Sequence, residues 1–308
     1  MYNNNGNGKL IFKDGTITRD LLYKSHDNNS FTNIDKFKSH ELMSVRVNGL
    51  IGDGIKATTV LGKLVEENPA RKYIFLLSYI DQYYVEGREL VMTDLFSKLI
   101  QKDIIIGLFL NCIPQARPIT GNQYLFLKRL VGDKILDLCF FNLIISSTSY
   151  KTLKRGIPFL GFDKLLTNTK KVSLFRYSGF HKHVPLRHIK EESWLEIEKY
   201  LLDKGLEAHL YGHDDEMRTS DGVVDHRKKL TVLETLEHAS DSSLCISTTT
   251  FLPLYLHHFI PCLVYADPSD INNLVSLWRD NDNYIPIDTR RLDYISFVKD
   301  FSTKHFSL

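Results

Sequence analysis

The stretch MSVRVNGLIGDGIKATTVLGKLVEEN (residues 43–68) decides the fold class of this chain. Its first residues, MSVRV, have the composition of a short β-strand, and a glycine-rich turn follows at GLIGDG (49–54). From ATTVLGKLVEEN onward, apolar residues recur with the period of an α-helix, at Val60, Leu61, Leu64 and Val65. A strand, a glycine-rich turn and a helix in this order indicate an α/β fold.

The alternation of strands and helices continues along the chain and then starts a second time. In the first half, the sequence predicts strands at 73–77 and 104–110 and a helix around 89–101, and a further apolar run lies at 135–145. In the second half, strands are predicted at VSLF, LEAHLYG, LCIS and CLVY. Helices are predicted at SWLEIEKYLLDKG, KLTVLETLEHAS, TFLPLYLHHF and RRLDYISFVKDFS (290–302). This pattern predicts parallel, doubly wound sheets whose ligands bind at the carboxyl ends of the strands.

The domain boundaries follow from this double alternation. A length of 308 residues suits two domains of about 150 residues each. The Gly/Pro/Lys-rich segment 154–171 is expected to connect them. We therefore predict an N-terminal extension (1–42) with a hairpin at Asp14-Gly15, an N-terminal Rossmann-like domain (43–165) and a C-terminal Rossmann-like domain (166–308). A ligand cleft is expected between the two halves.

Composition narrows the class of protein. Lys and Arg number 39 against 37 Asp and Glu, so the chain as a whole lacks the basic field of a nucleic-acid-binding protein. The four cysteines lie far apart in apolar runs, which predicts buried thiols and a reducing compartment. No signal peptide and no apolar run of about 20 residues is present in the sequence. We expect a cytoplasmic protein that touches a membrane, if at all, at its inner face.

Asp53 is the first candidate for chemistry, because it lies between a predicted strand and a predicted helix. A carboxylate there accepts a proton from an attacking hydroxyl, although Asp also commonly caps a helix. The motif is not GxGxxG, and no acidic residue is clearly placed to hold a ribose after the second strand. A dinucleotide-binding dehydrogenase is therefore disfavoured.

Lys182 is the second candidate, in the segment FHKHVP that follows the first strand of the second half. A lysine in this position pairs with phosphate oxygens or belongs to a solvated basic loop. His181, His183 and His188 lie nearby in the sequence without a partner cluster of cysteines or carboxylates. We therefore predict no metal site in this segment.

Two further segments follow strands of the second half. The sequence YGHDDE (211–216) offers carboxylates for ribose hydroxyls or a divalent cation, or forms an ordinary polar loop. Thr248, Thr249 and Thr250 precede a predicted helix, where hydroxyls and backbone N–H groups form an anion site. A helix N-cap accounts for one of these threonines but not for three in succession.

Taken in order, these segments resemble the ADP-heptose:lipopolysaccharide heptosyltransferase family, which is glycosyltransferase family 9 and has the GT-B fold. VNGLIGDGIKATTVLGKLVEENP (47–69) resembles the N-terminal run whose Gly-Asp aspartate is the catalytic base, here Asp53. KHVP resembles the Lys-x-Trp-Pro segment whose lysine contacts the donor phosphates, here Lys182. LYGHDDE resembles the strand, glycine and acidic residue near the donor ribose, which implicates Gly212 and Glu216.

The segment 229–270 is similar to the family's Leu-rich helix, strand, Asp-Thr-Gly loop and following helix. Here the chain departs from the family, because Asp-Thr-Gly-x-x-His is replaced by Thr248-Thr249-Thr250-x-x-Pro253. The family uses that aspartate on the donor sugar, so the departure implies a different sugar. KHVP also lacks the family's tryptophan.

The resemblance implies two Rossmann-like domains with parallel sheets facing across a cleft, and an inverting, metal-independent glycosyltransferase. Its donor would be a nucleotide-diphosphate sugar, its acceptor a saccharide or lipo-oligosaccharide, and it would need no cofactor. Asp53 would be the base, Lys182 and residues 248–250 would hold the diphosphate, and Gly52 and Gly54 would shape the acceptor loop.

Two alternatives stay open. One is a viral DNA-modifying glycosyltransferase that acts on a hydroxymethylated base, with the tract Lys170–Lys190 contacting the polyanion through Arg176, Lys182, Arg187 and Lys190. The other is a non-catalytic module that binds a nucleotide sugar.

Overall fold

A computed structural model describes residues 9–12, 17–19, 42–48, 51–80, 88–113, 135–139, 159–161, 170–176, 189–212, 218–267, 282–290 and 293–306. The chain divides into two compact units, Met1–Phe162 and Asp163–Leu308. Each unit has a six-stranded sheet with helices packed on it, which confirms the predicted α/β class.

The sheet of the first unit has the strand order β2-β1-β5-β4-β3-β6. Its strands are β1 (Lys9–Phe12), β2 (Ile17–Arg19), β3 (Leu42–Asn48), β4 (Lys72–Ile80), β5 (Ile105–Ile113) and β6 (Ile135–Cys139). Its helices are α1 (Ile51–Glu67) and α2 (Arg88–Gln101). Strands β6, β3, β4 and β5 are parallel, as predicted.

The predicted N-terminal hairpin is present and joins this sheet. Strand β1 pairs antiparallel with β2 and also antiparallel with β5. The first sheet is therefore mixed, with two antiparallel strands added at one edge. The predicted parallel strands are β3 to β6, and β1 pairs antiparallel at their edge because a hairpin joins a neighbouring strand without a crossover helix.

Helix α1 begins earlier than predicted. It starts at Ile51, so Gly52, Asp53 and Gly54 lie in its first turn rather than in a turn before it. Gly54 and Ile55 are buried, and Ile55 is only 1% exposed. The weak helix propensity of the two glycines is the reason a turn was predicted here. Burial of Ile55 offsets this weak propensity.

The core of the first unit lies between the sheet and its two helices. The rings of Phe75 on β4 and Phe96 on α2 meet edge to face, with centroids 5.1 Å apart. The backbone N–H of Phe159 donates to the carbonyl of Thr58 on α1 over 3.2 Å. Residues 159–161 of the predicted connection therefore pack on the first unit.

The sheet of the second unit has the order β12-β11-β10-β7-β8-β9, and all its strands are parallel. The strands are β7 (Lys171–Phe175), β8 (Glu207–Tyr211), β9 (Val224–Asp225), β10 (Leu244–Thr248), β11 (Cys262–Ala266) and β12 (Tyr284–Asp288). The helices are α3 (Glu191–Asp203), α4 (Val232–Ala239), α5 (Phe251–Leu256) and α6 (Tyr294–Phe306). Strands β9 and β12 were not predicted.

The core of the second unit is built on the predicted apolar face of α3. Trp194, Ile197 and Leu201 are fully buried there, and the Trp194 ring meets Tyr265 of β11 edge to face at 5.9 Å. Cys245 and Cys262 are buried free thiols, as predicted. Among the described residues, no helix is long and apolar enough to span a bilayer.

Candidate active site

The strand order of the second unit reverses between β7 and β10. From β7 the chain runs outward to β8 and β9, and then returns to β10 on the other side of β7. In open α/β sheets such a reversal leaves a crevice outside the carboxyl ends of the two central strands, and ligands bind in it. A ligand site is therefore expected at the carboxyl ends of β7 and β10.

The register places the predicted donor-binding segments at this point. Phe175 of β7 pairs with Ser247 of β10 and with Tyr211 of β8, so the three strands end at the same height. Thr248 and Gly212 are the next residues after two of these positions. The predicted segments therefore begin at the ends of neighbouring strands, although they lie far apart in sequence.

Two of the predicted residues lie outside the described part of the chain. Lys182 belongs to residues 177–188, which follow β7, and Glu216 belongs to residues 213–217, which follow β8. Their roles stay predictions. Sequence order alone places them after strands that end at the crevice.

The threonine segment presents buried hydroxyls at the end of β10. Thr248 is fully buried, and within the described residues the hydroxyls of Thr248 and Thr249 have no hydrogen-bond partner. Thr250 is the N-cap residue of α5, but its side chain makes no capping hydrogen bond, and its Oγ1 lies 3.2 Å from Ser247 Oγ. The N-cap explanation is therefore wrong for this side chain. Hydroxyls of this kind need a partner, and oxygen atoms of an anion provide one.

Gly212 has a backbone conformation that explains why a glycine follows β8. Its φ is +129°, which L-residues with a side chain rarely adopt. A Cβ built at this position would lie 3.5 Å from Cζ of Phe175, an ordinary contact distance. The constraint at Gly212 is therefore its backbone angle rather than lack of space.

Arg176 is not part of an exposed basic surface of the kind predicted for the tract Lys170–Lys190. Its side chain is 3% exposed and forms an ion pair with the fully buried Glu198 of α3. It also donates from Nη1 to the carbonyl of Arg218 over 2.6 Å, and the N–H of Ser220 donates to Glu198 Oε2 over 2.9 Å. The prediction that Arg176 contacts a polyanion is wrong, because Arg176 serves as the buried partner of a carboxylate. Lys190 is exposed.

The first unit has the same kind of strand reversal. Strands β4 and β5 lie on one side of β3, and β6 lies on the other. Asn48, the last residue of β3, pairs with Ser78 of β4 and Cys139 of β6. Helix α1 begins three residues later, and Asp53 is its third residue. The backbone thus places Asp53 just beyond the carboxyl end of the strand at the reversal, while its side chain lies outside what the structure describes.

A cluster of three histidines is the feature that the sequence did not predict. His209 lies on β8, His226 follows β9 and His238 lies in the last turn of α4, with one ring nitrogen from each within 4.8 Å of the others. His209 Nδ1 lies 3.0 Å from His226 Nε2, and His238 Nδ1 lies 2.7 Å from the Tyr211 hydroxyl. No short sequence motif joins these residues, so only the fold brings them together.

Burial keeps the histidine cluster uncharged near neutral pH. It lowers the pKa of all three imidazoles, and that of His226 falls to about 4. The Lys171 ammonium lowers each pKa further. Lys171 is itself paired with Asp241 at 2.5 Å.

Comparison with known proteins gives structural likenesses alone. No protein-family model matches the chain, and no curated protein matches it. The structure is similar to E. coli heptosyltransferase WaaC with ADP-2-deoxy-2-fluoro heptose, at 11% identity and a TM-score of 0.47, over 85% of this chain and 99% of that one. It is similar to the E. coli ADP-heptose lipopolysaccharide heptosyltransferase II, at 11% identity and a TM-score of 0.48, over 86% and 99%.

A glycosyltransferase of family 9 from Veillonella parvula is also similar, at 11% identity and a TM-score of 0.48, over 82% of this chain and 87% of that one. At such identities and TM-scores, these likenesses carry no argument about activity or substrate. The function of this chain is therefore inferred from its own residues.

Proposed function

We propose that this chain is a glycosyltransferase that moves a sugar from a nucleotide-diphosphate sugar to an acceptor hydroxyl. The observation that supports this most is the reversal between β7 and β10, where the hydroxyls of Thr248 and Thr249 have no hydrogen-bond partner among the described residues. A crevice with buried hydroxyl donors at the carboxyl edge of a parallel sheet suits a nucleotide diphosphate.

The residues around this crevice are assigned to the donor. Thr248, Thr249 and the N–H groups at Thr250 hydrogen-bond diphosphate oxygens, and Lys182 contributes a positive charge. Glu216 accepts from the ribose hydroxyls, and Gly212 lets the chain turn beside the nucleoside. Because these groups stabilise the charge that develops on the leaving diphosphate, transfer needs no metal and no cofactor.

Asp53 is assigned as the general base, with Gly52 and Gly54 shaping the acceptor side of the same turn. It takes the proton from the acceptor hydroxyl while that oxygen attacks the anomeric carbon. The bond from the anomeric carbon to the diphosphate oxygen breaks in the same step, and the configuration inverts. We propose a saccharide or lipo-oligosaccharide as acceptor. Burial of Arg176 removes one cation from the tract that the DNA alternative requires.

The test is a panel of UDP-, GDP- and ADP-sugars, with bound nucleotide measured by calorimetry and released nucleoside diphosphate measured by chromatography. We expect one nucleotide class to bind and to be consumed when an acceptor is present. Native mass spectrometry of ligand retained on purification names the base and the sugar together. Binding of no nucleotide sugar in the panel would refute the proposal.

A matched pair of variants locates the donor site. Thr249→Val removes a hydroxyl that has no partner among the described residues. We expect binding of the nucleoside diphosphate to weaken by about tenfold to 150-fold, since a hydrogen bond to a charged group contributes about 1.5–3 kcal/mol. Thr59→Val makes the same change on α1 of the first unit, where Thr59 is buried. It should leave this affinity unchanged. Equal affinities in the two variants would remove the threonine segment from the site.

A further inference from the structure

We propose that His209, His226 and His238 form a binding site for a divalent transition metal ion of the Zn²⁺ class. The site belongs to the second unit and has no part in the proposed sugar transfer. Imidazole nitrogen is a preferred ligand of Zn²⁺, and three histidines leave a fourth position for water. A set of three nitrogens without an oxygen ligand disfavours Mg²⁺ and Ca²⁺, which prefer oxygen.

The distances between the rings suit a tetrahedral ion. With metal–nitrogen bonds of about 2.0–2.1 Å, two tetrahedral ligands lie about 3.4 Å apart. His209 Nδ1 and His226 Nε2 are 3.0 Å apart, and one nitrogen of His238 completes a set that lies within 4.8 Å. The ring centroid of His226 is 5.2 Å from that of His209 and 4.5 Å from that of His238. The spacing is thus close to that of three nitrogens on one ion, and the rings must rotate so that these nitrogens point at it.

The outer contacts of the histidines are those of metal ligands. A ligating histidine commonly donates its second N–H to a carboxylate or another oxygen, which orients the ring. Glu207 Oε2 lies 3.8 Å from His209 Nε2, on the side away from His226. The Tyr211 hydroxyl lies 2.7 Å from His238 Nδ1 and accepts its proton when Nε2 is the ligand. The ring of His238 thus has an oxygen within hydrogen-bond distance, whereas Glu207 lies only within ion-pair range of His209.

Lys171 is a cation in direct contact with the cluster, and its charge is balanced. Its ammonium donates to the carbonyl of His238 over 2.6 Å and pairs with Asp241 Oδ1 at 2.5 Å. It also lies 3.1 Å from His238 Nδ1. Two of the three N–H groups of the ammonium therefore have oxygen acceptors, and the third lies beside His238 Nδ1. A metal ion therefore meets a neutral ion pair rather than an isolated positive charge.

The metal would join three elements of the second unit. Strand β9 has two residues and pairs only with β8 among the described strands, at the edge of the sheet. His226 follows β9 directly, and the other two ligands lie on β8 and α4. Binding to the folded site alone stabilises the fold, because the unfolded chain does not hold the three rings together.

The first experiment measures zinc in the full chain after chelator treatment and dialysis against micromolar ZnCl₂. Mass-spectrometric metal analysis should give one zinc per wild-type chain and at least tenfold less in His226→Gln and in His209→Gln. The control variant His181→Gln/His183→Gln changes two histidines outside the cluster and should keep one zinc. Zinc should also raise the Tm of the wild type but not that of His226→Gln. No zinc in the wild type, or as much zinc in either cluster variant as in the wild type, would overturn the proposal.

A second measurement uses the wild type alone, so it does not depend on whether the variants fold. X-ray absorption at the zinc edge should show nitrogen and oxygen ligands at about 2.0–2.1 Å with the scattering pattern of three imidazoles. A sulfur ligand would overturn the assignment, because the proposed site has no cysteine. Neither measurement involves a nucleotide sugar, so their outcome is independent of the proposed function.

Discussion

At the scale of single residues, Gly205 and Gly212 both have a positive φ, but the two angles differ in how strongly they exclude residues with a side chain. Gly205 ends α3 at φ +70°, in the left-handed region, whereas Gly212 has φ +129°, where only glycine is comfortable. We expect Gly205→Ala to lower the free energy of unfolding by about 1 kcal/mol and Gly212→Ala by more, about 2–3 kcal/mol. Urea unfolding of both variants measures the difference. Equal losses would show that the backbone angle at Gly212 is not constrained.

The Arg176–Glu198 pair gives a second prediction for single residues. Both side chains are almost fully buried, so a charge left without its partner is expensive. Glu198→Gln should lower the free energy of unfolding by about 3–5 kcal/mol. The double variant Arg176→Met/Glu198→Gln removes both charges and should be more stable than Glu198→Gln alone. If the double variant is the less stable of the two, the pair is not an isolated buried ion pair.

At the scale of elements, the N-terminal hairpin covers one edge of the first sheet. Strand β1 pairs with β5, so deletion of residues 1–19 leaves the N–H and C=O groups of β5 without a neighbour on that side. Exposed edges of this kind pair with other chains. We expect the deletion to raise the fraction of aggregated protein in size-exclusion chromatography relative to the full chain. An unchanged elution profile would show that β5 does not depend on the hairpin.

The helices and strands also show which local sequence patterns were sufficient to predict secondary structure. Alternating apolar runs predicted most described strands and helices, because burial on two sheet faces leaves a clear periodicity. Strand β12 was missed since Pro286 interrupts it, and a proline is tolerated there only because β12 is an edge strand. The start of α1 was missed because its two glycines favour a turn locally, while the burial of Ile55 depends on tertiary packing.

At the scale of the whole molecule, the stability of the fold should fall in acid. Burial lowers the pKa of His257 to about 4 and that of His258 to about 2, from an ordinary value near 6.5. Both histidines are neutral in the fold, so the unfolded chain binds more protons below pH about 6.5. The stabilisation is complete above that pH and is lost as the pH falls toward about 4, with a slope approaching 1.4 kcal/mol per pH unit for each histidine.

Urea unfolding at pH 7, 6 and 5 measures this slope. The double variant His257→Gln/His258→Gln carries no imidazole at these positions and should show a smaller loss between pH 7 and pH 5 than the wild type. Identical pH dependence in the two proteins would show that these histidines ionise alike in the folded and unfolded chain.

The part of the candidate site that depends only on the order of strands along the chain could be predicted from the sequence. Segments that follow consecutive strands meet at one edge of a parallel sheet, and this placed Gly212 and the threonine segment correctly beside the β7–β10 reversal. Contacts between side chains far apart in sequence carry no local signal. The sequence therefore could not show that Arg176 pairs with Glu198, or that three histidines from β8, α4 and the segment after β9 meet.

Replacement of Asp53 tests the central claim most directly, namely that the strand reversals of the two units hold the groups for sugar transfer. General-base catalysis contributes about 10²–10⁴-fold to a rate. Asp53→Asn should therefore lower kcat for transfer at least 100-fold, with nucleoside diphosphate affinity unchanged. Asp94→Asn on α2 serves as the matched control and should transfer at the wild-type rate. Wild-type turnover by Asp53→Asn would contradict the account.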